Sequence, residues 1–271
     1  MTTIDIPATS PARRTTARQT EHATIPFGRV VSTELRKMFD TRSGFWLMAS
    51  IGILALLASA AVVAFAPDSE LTFATFATAF GVPMTIILPI VAILSVTSEW
   101  SQRSGLTTFT LVPHRGRVIA AKAIVSVAVG VVSVLLACVI GAVGNLLGTT
   151  IAGTDPVWDV SAIDLANIVL ANVLGLLVGF MLGVLFRSSA VAIVGYFVYS
   201  FLLPTLSGLL AASQDWFRDL QQWVDFNYAQ SSLFDGALSA TQWAHLAVTG
   251  FIWLVVPTTV GVWAVLRSEV K

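Results

Sequence analysis

The sequence predicts an all-α integral membrane protein of six transmembrane helices, with an amphipathic interface helix before the first and short external helices before the last. Three observations predict it. Of 271 residues, 56% are apolar and only 11% charged, where a soluble domain carries about a quarter charged. Six apolar runs each reach the length of about 20 residues that a helix needs to cross a hydrocarbon core roughly 30 Å thick. The charges are also sorted: fourteen of the fifteen basic residues lie on one side of those runs, Arg218 being the exception, while Asp68, Glu70, Asp155, Asp159, Asp215, Asp219, Asp225 and Asp235 lie on the other. In lipid the backbone must satisfy its own hydrogen bonds, and runs of this length do so as helices rather than barrel strands.

Taken in order, residues 1–25 are rich in Thr, Ala, Arg and Pro and lack the apolar centre of a signal peptide, so they are expected to form a disordered tail. Residues 26–43 place Phe27, Val30, Val31, Leu35, Met38 and Phe39 at helical spacing opposite Arg29, Arg36, Lys37 and Asp40, the pattern of a helix lying along a membrane surface. The membrane domain, 44–266, contains the spans 44–66, 71–96, 123–149, 163–186, 189–212 and 243–266, with a polar, basic loop at 97–122. Basic residues mark the cytoplasmic side, which places both termini and that loop in the cytoplasm.

Within the second span, Pro83 and Pro89 each remove a backbone donor and crowd the preceding turn, so this helix is expected to be kinked and to line a cavity. Cys138, in the third span, is the one cysteine, which excludes an intramolecular disulfide. The fourth span opens on a Ser161/Asp164 capping box. It continues with Gly175, Gly179 and Gly183 four apart, a small-residue face suited to close helix contact. Asn167 and Asn172 on the same helix are expected to hydrogen-bond between helices. Residues 213–242 alternate Trp216, Phe217, Trp223, Phe226, Tyr228 and Phe234 with acids and amides. They are too polar to span and too aromatic for a free loop, so they read as short helices dipping into or lying on the outer leaflet. Residues 267–271 form a short cytoplasmic tail.

Enzymatic signatures are sparse. No G-x-x-x-x-G-K-[ST] loop occurs, and none of the three lysines, Lys37, Lys122 and Lys271, follows a glycine. His22, His114 and His245 are too scattered for a zinc site. A net charge of zero gives no reason to expect nucleic acid as a partner. Apart from terminal Asp164 the spans carry no acid or base, the usual mark of an ion-coupled carrier, so energy for any transport is expected from another subunit. One enzymatic alternative is an intramembrane serine protease of rhomboid type. "TLSG" places Ser207 near the outer end of the fifth span and His245 opens the sixth, although Thr205 stands where that motif has a glycine.

The loop "SEWSQRSGLTTFTLVPHRGRVIAAKAIV", 98–125, carries a further reading. Glu99, Gly105, Thr107, Thr108, Leu111, Pro113, Arg115, Arg117 and Lys122 follow one another in the order of the corresponding loop of type-2 ABC transporter permeases. Leu106 departs from the threonine often found directly after the glycine. Together with the surface helix and six spans, the chain resembles that family over residues 26–266 in layout and over about 25 residues in motif. The resemblance implies a coupling helix here, docking on a separate ATP-binding subunit through Glu99, Trp100, Arg103 and Gly105, with Arg36 and Lys37 of the surface helix. For Arg115, Arg117 and Lys122, lipid headgroup binding is the plainer expectation.

The resemblance further implies a bacterial plasma membrane location and pairing with a second permease copy or homologue. It implies no cofactor on this chain, ATP and Mg²⁺ belonging to the partner subunit. The cargo would be hydrophobic or amphiphilic, a drug, lipid or peptide moved outward. The path would draw on the second and fifth spans, with Phe76, Phe80, Thr85, Tyr196 and Tyr199 as candidate lining residues.

Overall fold

The computed structural model describes residues 26–40, 42–101 and 115–267. Among them the fold is all-α and six helices are long and apolar enough to cross a membrane. The amphipathic α1 spans Phe27–Asp40, followed by α2, Arg42–Phe65, and α3, Phe73–Ser101. Next come α4, Arg115–Ala152, and α5, Ala162–Phe186. The helix α6 runs Ser189–Ser213; two short helices follow, α7 (Asp215–Val224) and α8 (Phe226–Ser231), and α9, Ala240–Arg267, closes the fold.

The third membrane helix begins at Arg115 rather than at Ala123, because the small and apolar residues after Gly116 continue the helical face without a break. At 38 residues it is about 57 Å long, well beyond hydrocarbon thickness, so Arg117 and Lys122 stand on a rigid helical extension instead of in a loop.

The helices α3 and α5 form the centre, with α2 and α4 packed on one side and α6 and α9 on the other. Pro89 of α3 meets the small-residue face of α5. A Cβ at Gly179 would lie 2.5 Å from the Pro89 carbonyl oxygen and 2.7 Å from its Cα, so only glycine permits this approach. Gly183 repeats the contact against Ile93 and Val96. The glycine spacing thus serves packing within the chain. On the other side, Phe76 and Phe80 of α3 are almost fully buried against Gly141 and Gly144 of α4.

Neither proline breaks α3. Proline at 89 deprives the Thr85 carbonyl of its helical donor, and the Tyr196 hydroxyl on α6 supplies one across the helix gap, at 2.5 Å. A hydroxyl thereby replaces the missing N–H in a medium without water. Tyr196→Phe keeps the ring and removes that donor. It is expected to destabilise the folded protein in lipid by about 1–2 kcal/mol, read by denaturant unfolding of the reconstituted protein; unchanged stability would mean that the Thr85 carbonyl has another donor.

The two ends of the bundle are tied differently. At the acidic end Thr72 and Val157 form an isolated β-bridge, and Asp159 Oδ1 accepts from the Ala74 amide at 2.8 Å. The predicted capping box starts α5: Ser161 and Asp164 exchange hydrogen bonds at 2.9 and 3.2 Å. At the basic end the Thr97 and Ser189 hydroxyls pair at 2.7 Å. Arg187, in the left-handed conformation at φ 54°, closes α5 and lets α6 start two residues later.

The segment between α6 and α9 folds back among the helices. Phe226 and Leu233 are buried, Phe226 lies against Gly250, and the Val224 carbonyl accepts from Trp253 Nε1 at 2.6 Å. Trp253 stands about 20 Å along α9 from Ala240, so α7 and α8 penetrate well below the acidic end. Two π turns, Val198–Leu202 in α6 and Phe251–Val255 in α9, lie beside this segment.

Candidate functional site

Two constellations stand out, one where α3, α5, α6 and α8 meet and one at the basic end. The first is a cavity of about 190 Å³. Thr85 and Pro89 contribute from α3, Asn172 and Gly175 from α5, Tyr196, Tyr199 and Phe201 from α6, and Gln230 from α8, with Phe234 just beyond it. It forms because glycine at 175 opens the α5 surface and the π turn of α6 presents Tyr199 and Phe201 out of α-helical register. Gln230 fastens the wall by donating Nε2 to the Ala171 carbonyl at 2.7 Å.

Asn172 differs from expectation. Its amide does not bridge helices; Nδ2 donates to the Ile168 carbonyl of its own helix at 2.9 Å, and Oδ1 is buried without a hydrogen-bond partner. The buried Tyr199 hydroxyl is also unpartnered. Each such group costs about 1–3 kcal/mol if left unpaired. Asn167, by contrast, does tie elements together, donating to the Gly236 carbonyl at 2.8 Å.

At the basic end, Lys122 and Glu34 form a salt bridge at 2.6 Å with both side chains almost fully buried. Lys122 also donates to the Ser95 carbonyl at 2.9 Å, and Lys37 reaches the other Glu34 oxygen at 2.7 Å. One cluster thus ties α1, α3 and α4 together. Burial alone would raise the Glu34 carboxyl, but Lys122 and Lys37 outweigh it and hold it below the ordinary value of 4.5. The headgroup role expected for Lys122 is therefore corrected: its ammonium is turned inward. Arg117 lies over the Phe27 ring at 5.9 Å, pinning α1 to α4 a second time.

The other expected positions distribute as follows. Of the expected path residues, Thr85, Tyr196 and Tyr199 converge on the cavity, whereas Phe76 and Phe80 fill the α3–α4 contact instead. Glu99 and Trp100 occupy the last turn of α3, Trp100 half-buried against the core. Arg36 is exposed on α1, and Arg115 begins α4. Arg103, Gly105, Thr107, Thr108, Leu111 and Pro113 lie outside the described residues.

Ser207 and His245 are not joined. Ser207 Oγ accepts from Gln221 Nε2 at 3.0 Å, while the buried His245 packs edge-on against Trp223 at 4.3 Å with Nε2 unpartnered. A serine nucleophile needs its base within hydrogen-bond reach, and this geometry does not supply it.

Sequence reasoning missed Glu34 and Gln230. Glu34 could have been noticed as an acid between the apolar positions Val30, Val31 and Leu35 of a basic helix, on the side that packs against its neighbours. Gln230 carries no distinguishing pattern. A scan against protein-family models and a search of curated proteins both gave no match.

Proposed function

We propose that this chain is the membrane-spanning permease subunit of an ATP-driven ABC exporter in a bacterial plasma membrane, with both termini cytoplasmic. A separate subunit binds ATP and Mg²⁺ and hydrolyses the nucleotide; a second permease copy or homologue completes the pore; the cargo is a hydrophobic or amphiphilic molecule. The observation that carries this reading is the buried Glu34–Lys122–Ser95 cluster. It binds the surface helix to the helices flanking residues 102–114, so a push delivered there or at α1 reaches α3 and α4 together. Since α3 carries Thr85 and Pro89 of the cavity wall, movement at the basic end is transmitted to the space where cargo would sit. Basic-end sidedness and the order of loop residues support the same reading.

The test is affinity purification of the tagged protein from native membranes in mild detergent, with vanadate-sensitive ATP hydrolysis as readout. The expected result is co-purification of an ATP-hydrolysing subunit, reduced by about tenfold or more in Glu99→Arg, a loss of about 1.4 kcal/mol or more in association. A chain that purifies without any ATPase, or a Glu99→Arg variant that retains it fully, overturns the proposal.

A further inference from the structure

The cavity has an uneven chemistry that specifies what it can hold. Asn172 is 3% exposed, and its nitrogen is identified by donation to the Ile168 carbonyl, which only the amide N–H can make. The unpartnered atom is therefore an oxygen, an acceptor with no donor. Gln230 also lines the space; it gives one amide N–H to the Ala171 carbonyl, and its amide oxygen offers a second acceptor. The Tyr199 hydroxyl, unpartnered, can donate or accept. Tyr196 is committed to Thr85 and offers no donor. Among the described residues the lining, which also includes Ser200, Asn227 and Ser231, has no acidic, basic or histidine side chain. Phe201 and Phe234, both exposed, give the lining an apolar rim toward the outside of the bundle.

We propose that this cavity binds the uncharged, hydroxyl-bearing head group of an amphiphile, whose acyl chain leaves past Phe201 and Phe234 into the surrounding lipid. Hydroxyls of the head group donate to Asn172 Oδ1 and Gln230 Oε1 and exchange a hydrogen bond with Tyr199. A carboxylate or phosphate would enter a low-dielectric space with no basic side chain to balance its charge. An ammonium would enter a low-dielectric space with no carboxylate to receive it. The volume of about 190 Å³ exceeds several times the roughly 30 Å³ share of a water, room enough for a polyol of a few heavy atoms. That the bound molecule is cargo rests on the transport reading; the binding does not.

Three probes with one acyl chain and different head groups test this: 1-monooleoylglycerol, oleate and oleylamine, added to the full chain in phosphatidylcholine nanodiscs. Saturable binding of radiolabelled 1-monooleoylglycerol is expected, with the other two competing at least about tenfold more weakly. Asn172→Leu and, separately, Tyr199→Phe are each expected to weaken it by about tenfold, while Tyr228→Phe, outside the cavity, leaves it unchanged. Tyr199→Phe carries the test if Asn172→Leu does not fold. Equal competition by all three probes means that only the chain is recognised, and no saturable binding means that the cavity holds water; either overturns the proposal. If an ATPase co-purifies while 1-monooleoylglycerol is not selected, the head-group assignment falls and the transport reading stands. Selective binding by a chain that purifies without ATPase gives the reverse.

Discussion

Glu34→Lys is expected to release α1 from the helices beneath it. The substitution removes the partner of two lysines and places a third ammonium against them, one of which, Lys122, is buried. Removing one member of a buried pair costs about 3–5 kcal/mol, because the remaining charge is left in a poor solvent. The measurement is hydrogen exchange over residues 27–40 in nanodiscs, where protection should fall to that of a free surface helix. Lys122→Glu alone should do the same. Combining the two should restore much of the protection, short of all of it because Lys37 loses its acceptor. Full protection in either single variant would show that apolar contacts of Val30 and Phe27 hold α1 unaided.

The same cluster has a signed pH dependence. The Glu34 carboxyl titrates below its ordinary 4.5 when folded, so its contribution is complete above that value and lost as pH falls through the lower folded-state value. Protection of α1 should therefore stay level from neutral pH down to the ordinary carboxylate range and drop only below it. Loss on raising the pH toward neutrality would contradict this.

The second large effect is expected from Gly179→Ala. One methyl group would enter space occupied by the Pro89 backbone, which has no rotamer to yield, so α3 and α5 must part along their length. A cost of about 3 kcal/mol is expected, the upper part of the usual range for overpacking, read as a lower thermal midpoint in nanodiscs. Gly175→Ala, four residues earlier on the same helix, meets only the Gln230 side chain at 3.5 Å and should stay within about 0.5 kcal/mol of the parent. If the two variants behave alike, the close approach at Pro89 is not what holds the centre together.

What could be read in advance follows from the range of the forces involved. Span positions came from runs of apolar residues, the α5 start from Ser161 and Asp164 three apart, and a close helix contact on α5, though not its partner α3, from glycines at helical spacing; all are local patterns set by backbone geometry. Lys122 shows the limit. Its partner Glu34 lies 88 positions away, and in sequence both look like ordinary charges at a membrane surface. Asn172 is another case: the pattern shows a polar residue on a buried helix but not that its amide turns back onto Ile168. The cavity wall from α8 depends on how the segment after α6 folds back, which no periodicity encodes.

The π turns of α6 and α9 have a rotational consequence. Each accommodates one residue more than an α turn, so each sets the phase of everything beyond it on its helix. Rewinding Val198–Leu202 to plain α geometry with no residue removed would swing the stretch from Leu203 to Ser213 through about 100°, carrying Ser207 off Gln221, whereas deleting one residue there would keep the phase. In α9 the turn holds Trp253, which binds Val224 and lies 6.3 Å from Tyr199. The two helices thus meet through aromatic side chains that are each carried on a π turn. Their angular settings are coupled there, and a change of winding in one is felt as a change of aromatic contact in the other.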